Sequence, residues 1–342
     1  VYAFRQITSG HINNTFAVQG SNNQTCYILQ NVDSKVFHNI PEVMENIEKM
    51  ITFIASKSGT AKNFNPGLIP QLLRTKDGSG YCVTEDGNYW RLFSYIEGRT
   101  LESTENAQQV SEAGQLYGQF LYVLSGLDAS EFHITIKDFH NIKFRLTQFD
   151  QACEEANPDR FEASSALRSF VNENRKRYIE SFEFITAPDK PTHLVHNDTK
   201  LSNILFDTHD KGVGIIDFDT LMPGYFAFDY GDAIRTICST TNEDDANIAD
   251  TSFNLNYIDG FTKGFTQPLK EFLSENTLVS FSLSIAYMPF LMGLRMLTDF
   301  LNNDVYYHVA YPDHNLVRCR NQFKLVQEAE AMSSEISNII HY

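Results

Sequence analysis

Residues 193–224 read HLVHNDTKLSNILFDTHDKGVGIIDFDTLMPG, three short apolar runs separated by acids and asparagines. Leu194-Val195, Ile204-Leu205-Phe206 and Val213 to Ile216 have the length and content of buried strands, so the polar residues between them fall in loops. One loop is His196-Asn197-Asp198-Thr199-Lys200-Leu201-Ser202-Asn203, and the last run closes on Asp217 in Ile215-Ile216-Asp217-Phe218-Asp219. The pattern is HxDxxxxN followed by IxD. Phosphoryl transfer needs such a set: a carboxylate that accepts a hydroxyl proton, and oriented hard oxygens that hold magnesium against nucleotide phosphates. Asp198 is the candidate base and Asn203 with Asp217 the candidate metal ligands; magnesium completes its shell with phosphate and water, so no histidine or cysteine cage is required. His196 is read as holding the loop by packing and hydrogen bonding rather than as a proton carrier.

Upstream, the first hundred residues alternate β-like runs with turn signals. The runs are Tyr2 to Ile7, Thr15 to Val18, Cys26 to Val32, Tyr81 to Thr84 and Tyr89 to Ile96. Ser9-Gly10, Gly20 to Asn23, Gly78 to Gly80 and Asp86 to Asn88 divide them. One helix interrupts the runs from Pro41, with Val43, Ile47, Ile51 and Ile54 on one face. After Gly98 the period lengthens, and 107–124, 139–155, 164–184, 278–301 and 322–340 read as helices. The expected fold class is α+β in two lobes. Residues 1–97 form a small antiparallel β lobe with one helix, and residues 98–342 a mainly helical lobe that carries the 193–224 island.

A chain of 342 residues, 42% hydrophobic and 20% charged, can bury a substantial core and is too apolar for disorder. Its 27 bases and 43 acids leave a net charge of −16, which repels nucleic-acid backbones and anionic membranes, so neither is an expected partner. The five cysteines are dispersed and form no CxxC, which argues against a disulfide framework or a thiolate zinc site and for a reducing cytoplasm. Asn276 to Leu294 is uncharged and apolar enough to suggest a membrane span, yet Ser280, Ser282, Ser284 and Pro289 suit a buried, kinked core helix better. Because the chain opens at Val1 rather than methionine, the lack of a signal peptide says little about compartment.

Five stretches carry a closer likeness: Gly10-His11-Ile12-Asn13, Tyr27-Ile28-Leu29-Gln30, His196 to Leu201, Ile216 to Gly224, and Tyr311 to Arg318. With them the chain resembles the aminoglycoside phosphotransferase and choline kinase superfamily, whose fold is that of protein kinases, and within it most nearly the N-acetylhexosamine 1-kinases. The resemblance implies a protein-kinase-like bilobal fold with ATP and Mg2+ between the lobes. It implies Asp198 as base, Asn203 and Asp217 on the metal, and transfer of the γ-phosphate to the anomeric hydroxyl of N-acetylglucosamine or N-acetylgalactosamine; composition and spacing alone do not point to a sugar. It further implies a nucleotide cradle at Gly10, His11, Ile12 and Asn13, where backbone N–H groups face phosphates, and an adenine site through backbone groups near Phe93, Ser94 and Tyr95. Where protein kinases carry a phosphate-binding lysine the corresponding position is Gln30, so either magnesium and backbone dipoles suffice or Lys35 or Arg5 reaches in. Without that lysine, at least two of Glu42, Glu45 and Glu48 are expected on a solvated face.

Acceptor recognition is expected from the second lobe, because a sugar hydroxyl that leaves water unpaired costs about 1–3 kcal/mol. Asp219, Asp232, Arg235, Arg295 and Tyr306 are the candidate acceptor contacts. In the segment DYGDAIRT, Asp229 and Asp232 either bind hydroxyls, orient the metal aspartate, or begin a helix salt-bridged to Arg235. Arg295 either pairs with Asp299, four residues on, or meets the acceptor, with Asp304, Tyr306 and Tyr307 close behind. His314, Asn315 and Arg318 read as a structural corner beside the site. Two other functions are compatible with these residues. A cationic acceptor such as choline or an aminoglycoside suits the −16 charge, and the missing lysine suits a nucleotide-binding scaffold without catalysis.

Overall fold

The computed structural model describes residues 3–7, 13–20, 24–57, 65–190 and 192–341. Strands β1 (Ala3–Ile7), β2 (Asn14–Gln19), β3 (Thr25–Val32), β4 (Cys82–Val83) and β5 (Tyr89–Ser94) form one antiparallel sheet in the order β1-β2-β3-β5-β4. Helix α1 (Ile40–Ser56) starts with Pro41 in its first turn, where a missing N–H costs nothing. It buries Val43, Ile47, Met50 and Ile54, each contributing roughly 1.5–3 kcal/mol. The chain then leaves the sheet through an extended segment whose far end is pinned, Arg99 and Phe206 exchanging backbone hydrogen bonds at 2.8 and 2.9 Å. Gly98 permits this approach, since a Cβ there would lie 3.0 Å from Leu205 Cβ and 3.2 Å from Val213 Cγ2.

The second lobe contains α2 (Ala107–Leu124), α3 (Ile142–Glu155), α4 (Pro158–Ala163), α5 (Ser165–Ile185), α6 (Phe226–Ile237), α7 (Leu255–Thr266), α8 (Glu275–Leu301), α9 (His314–Ala331) and α10 (Ser333–Ile340). Between α5 and α6, β6 (His193–Val195) pairs with β9 (Met222–Gly224), and β7 (Ile204–Phe206) with β8 (Gly212–Ile215). The second hairpin is nested inside the first pair, which turns the polar loops of the island toward one another. The whole is a protein-kinase-like bilobal α+β fold.

Helix α8 has the length and apolarity of a membrane span, and 61% of its most apolar stretch is buried inside the protein. Its Phe290 stacks on Tyr178 at 4.0 Å and its Phe281 on Tyr230 at 4.6 Å, the packing of a core helix. Helices α2 and α7 cross backbone to backbone: a Cβ on Gly118 would lie 2.3 Å from the Phe265 carbonyl oxygen, and one on Gly264 2.7 Å from that of Ser111.

Several elements differ from the sequence reading. The helix expected over 139–155 begins at Ile142, because Asn141 caps it by accepting the Lys143 N–H. Two separate helices replace the one expected over 322–340: α9 starts at His314 and ends at Ala331, and α10 resumes at Ser333. Helix α6 is buried over nearly its whole length, Asp229, Asp232 and Arg235 included, so the charges that mark this segment in the sequence do not form a solvated face. Gly260 and Gly264 lower the intrinsic helicity of α7, where tertiary packing overrides propensity.

Candidate active site

The loop after β6 is fixed from behind by Asp229 of α6. One Asp229 oxygen accepts the His196 N–H at 2.8 Å and the other the Asn197 N–H at 2.7 Å, while the Thr199 hydroxyl donates to the Asp229 carbonyl at 2.6 Å. Thr220 Oγ1 donates to the His196 carbonyl at 2.6 Å and Asn197 Nδ2 to the Thr220 carbonyl at 2.9 Å, tying this loop to the one after β8. Asn197 and Asp217 both adopt left-handed backbone, with φ of 64° and 69°, a strain that surrounding structure must hold in place. His196 is buried among Tyr117, Phe120 and Phe218, and its Nε2 meets the Ile216 carbonyl at 3.1 Å.

These restraints bring Asp198, Asn203 and Asp217 into one cluster. Asn203 Nδ2 donates to Asp198 Oδ2 at 2.9 Å and to the Asp198 carbonyl at 2.8 Å, and Lys200 Nζ lies 2.9 Å from the same Oδ2. Burial pushes the Asp198 carboxyl up, but the Lys200 ammonium and the Asn203 amide outweigh it and hold the group below its usual value. Asp217 is instead pushed up to about 7, first by burial and then by the charges of Asp219 and Asp198. Among the described residues its carboxylate accepts no hydrogen bond, and the Asn203 amide oxygen is also unclaimed. An uncompensated carboxylate among other carboxylates, beside a free carboxamide oxygen, is a donor set that fits a hard divalent cation. An ionised Asp198 alongside can accept a proton from a hydroxyl. Lys200, two residues past the aspartate in the motif, received no role from the sequence.

On the sheet side, Gly10, His11 and Ile12 lie outside the described residues. The Asn13 side chain is committed to the protein: Nδ2 donates to Asp219 Oδ2 at 2.6 Å and Oδ1 accepts the Asp33 N–H at 3.1 Å. Gln30 meets Arg91 rather than Lys35 or Arg5, which are both exposed. Asp219, expected at the acceptor, is held from the sheet instead, one oxygen by Asn13 and the other by Arg91. The adenine-side expectation also shifts along the chain. Phe93 pairs with Ile28 and Leu72, the Ser94 N–H donates to Gln71 and the Tyr95 N–H to Cys26. The first unpaired N–H groups among the described residues are therefore those of Ile96, Glu97 and Gly98. On α1, Glu45 pairs with Lys49 and Glu48 with Arg74 at the surface. Asn46 is buried and donates to the carbonyls of His133 and Leu221 at 2.9 and 3.0 Å, locking α1 to the loop after β8.

On the acceptor side, Arg235 donates to Asp232 Oδ1 from Nε at 3.1 Å and Nη2 at 2.7 Å, and to Glu243 from Nη1 at 2.6 Å. The salt-bridged reading of this segment prevails: Arg235 is spent on carboxylates instead of standing free for a sugar. Glu243 passes the chain of charges to Arg318, whose guanidinium lies 5.1 Å over the Tyr307 ring. Arg295 does not pair with Asp299, because the Asp299 carboxylate accepts the N–H groups of Tyr306 and Tyr307 at 2.8 and 2.9 Å and the Asn315 amide at 3.0 Å. Asn315 also reaches Asp304, which pairs with Arg160.

Arg295 is left among rings, 5.3 Å over Phe139, 5.9 Å over Tyr306 and 5.8 Å over Tyr307. Its one hydrogen bond among the described residues goes to Met292 Sδ at 3.4 Å. Nearby, the Tyr307 hydroxyl, both His140 ring nitrogens and Arg145 Nε are buried without a hydrogen-bond partner among the described residues. Burial, with Arg295 and Arg145 beside it, brings His140 down to about 3, so its ring is neutral, and it faces Asn197 next to Asp198. Burial and Arg295 likewise bring Arg145 down to about 10. The result is a donor-rich, aromatic-lined, cationic face beside the catalytic loop.

Comparison with known proteins agrees with this architecture. A family model described as the phosphotransferase enzyme family matches residues 3–261. Among solved structures, a microcompartment-associated aminopropanol kinase superposes with a TM-score of 0.64 at 15% identity, over 98% of this chain and 94% of that one. An ethanolamine kinase from Plasmodium vivax gives 0.59 at 15% identity over 93% and 81%. A spectinomycin phosphotransferase solved with ADP and spectinomycin gives 0.57 at 15% identity over 98% and 93%. At these identities the likeness is one of fold.

Proposed function

The chain belongs to the phosphotransferase enzyme family, and on that premise we propose that it transfers the γ-phosphoryl group of ATP to the anomeric hydroxyl of an N-acetylhexosamine. Residues 1–97 would supply the nucleotide side and residues 98–342 the catalytic loop and acceptor side, in a cytoplasmic step of amino-sugar salvage. The observation that carries the acceptor choice is Arg295, a guanidinium without a carboxylate partner among the described residues, set among Phe139, Tyr306 and Tyr307. Such a face suits a neutral sugar, whose C–H surface packs on rings and whose acyl carbonyl accepts from arginine, and it repels a quaternary ammonium.

Asp198, kept ionised by Lys200, takes the hydroxyl proton as the acceptor oxygen attacks, and Asn203 holds that carboxylate in place through its amide. Asn203, through its free amide oxygen, and Asp217 would hold magnesium, which when bound supplies charge neutralisation at the phosphate oxygens. Positioning of the hydroxyl against the phosphorus provides much of the remaining rate.

A cationic acceptor is the second reading, favoured by the −16 charge. The acids that would serve it are already committed, Asp229 to two backbone N–H groups and Asp232 to Arg235. An inactive scaffold loses its motive once a cation, Arg91, stands at Gln30. A panel of N-acetylglucosamine, N-acetylgalactosamine, choline, ethanolamine and an aminoglycoside with ATP and magnesium tests the assignment, with phosphorus NMR locating the ester. Phosphate on C1 of a hexosamine is the expected result. Turnover of choline or ethanolamine with none of either hexosamine overturns it.

A further inference from the structure

The cation missing from β3 is present one strand away. Gln30 stands opposite Arg91 of β5 in the antiparallel register. Gln30 Oε1 accepts from both Nε and Nη2 of Arg91, at 3.0 and 2.9 Å, while its own amide donates to Thr15 Oγ1 at 3.2 Å. The carboxamide thus forks the guanidinium and fixes its plane. Nη1 is aimed at the loop after β8, where it meets Asp219 Oδ1 at 2.5 Å, and both side chains are only 2% exposed. Asp219 is shared with Asn13, the first described residue after Gly10.

Donor accounting leaves Arg91 unfinished. Of five guanidinium N–H groups, two go to Gln30 and one to Asp219. A further Nη1 contact is only the Met44 sulfur at 3.7 Å, and one N–H of Nη2 has no protein partner among the described residues. The guanidinium is thereby aimed between the sheet, α1 and the carboxylate cluster.

We propose that Arg91 is the phosphate-binding cation of the nucleotide site, delivered from β5 and oriented by Gln30, with Asp219 as its counter-ion in the resting protein. The proposal rests on the reading that a nucleoside triphosphate is the donor.

The test is calorimetric affinity of the full chain for ATP and for adenosine, with GTP and guanosine in parallel. In Arg91→Gln, ATP affinity should fall about 10- to 100-fold, the loss expected for charge-assisted hydrogen bonds, while adenosine affinity stays within about twofold. The double variant Gln30→Lys/Arg91→Gln, which returns a cation to β3, should recover most of the ATP affinity. Equal losses for ATP and adenosine in Arg91→Gln, or no loss for either, overturn the assignment and leave a structural pair. Should Arg91→Gln fail to fold, the double variant decides alone: a folded protein that binds ATP no better than adenosine refutes the proposal. Wild-type protein that binds neither ATP nor GTP defeats the donor reading as well. Nucleotide binding with an undiminished preference over nucleoside in Arg91→Gln defeats only the role given to Arg91.

Discussion

Replacing Asp229 with asparagine preserves the side chain's size and removes one acceptor at the point where the loop before Asp198 is anchored. In the native protein the two carboxylate oxygens separately accept the His196 and Asn197 N–H groups at 2.8 and 2.7 Å. Asparagine keeps one bond, loses another worth about 1.5–3 kcal/mol, and turns an amide N–H toward a buried backbone N–H at a further ~1–3 kcal/mol. Part is recovered, because burial already pushes Asp229 up to about 7 and a neutral amide avoids the cost of that charge. The expected net loss is about 2–4 kcal/mol, and at roughly 2–4 °C per kcal/mol for a lobe of this size the melting temperature falls by about 5–15 °C. Far-UV circular dichroism follows the helical lobe, and the fluorescence of Trp90, the sole tryptophan, follows the sheet independently. Turnover should drop with stability, since the left-handed Asn197 depends on that anchor. An Asp229→Asn protein that melts within about 1 °C of wild type with unchanged turnover would refute the idea that these two bonds hold the loop.

Asp198→Asn should fold normally and bind nucleotide as wild type does while losing turnover about 10²- to 10⁴-fold in a coupled kinase assay; near wild-type turnover removes Asp198 as the base. Gly118→Ala inserts a methyl 2.3 Å from the Phe265 carbonyl oxygen, so α2 and α7 must part, at about 2–3 kcal/mol by denaturant titration. Arg295→Met should raise the KM for an N-acetylhexosamine by about 10- to 100-fold with nucleotide affinity unchanged, read by steady-state kinetics in each substrate. Glu243 is pushed up by burial but brought down overall to about 2 by Arg235 and Arg318, so its stabilisation is present above pH ~4.5 and is lost as pH falls toward 2. Glu243→Gln should therefore cost about 2 kcal/mol at pH 7 and flatten the acid limb of the stability profile between those values; an unaltered limb contradicts the pairing.

Local patterns carried the elements with strong periodicity. Helix α2 falls on the expected 107–124, and α1 begins one residue from its expected start, because both have clear apolar faces. Helix α6 was legible only as one possible helix start, since its Asp229, Asp232 and Arg235 are buried on partners that the sequence does not name. The loop chemistry was legible because Asp198 and Asn203 share one turn of chain, and Asp217 follows a strand whose pairing with β7 returns it to them. The partners of these residues were less accessible. Asp219 sits two residues from Asp217 yet turns to the sheet, a choice set by Arg91, more than a hundred residues earlier. Arg91 had left a trace, an arginine between Trp90 and Leu92 in an apolar strand, but only the register of β3 with β5 shows what it meets. The Arg295 alternatives could not be separated from spacing, because Asp299 is claimed by main-chain donors that no side-chain pattern reveals.

That use of Asp299 bears on how such a protein can change its preferences. The turn beyond α8 takes its path from amide hydrogens of the main chain, which every residue except proline carries, so its outline is indifferent to what it displays. Val305 is exposed on it and can be exchanged without touching the helices beneath. Diversity at this rim is therefore cheap for descendants of the chain, whereas loss of the one carboxylate below would collapse the rim whatever it displayed.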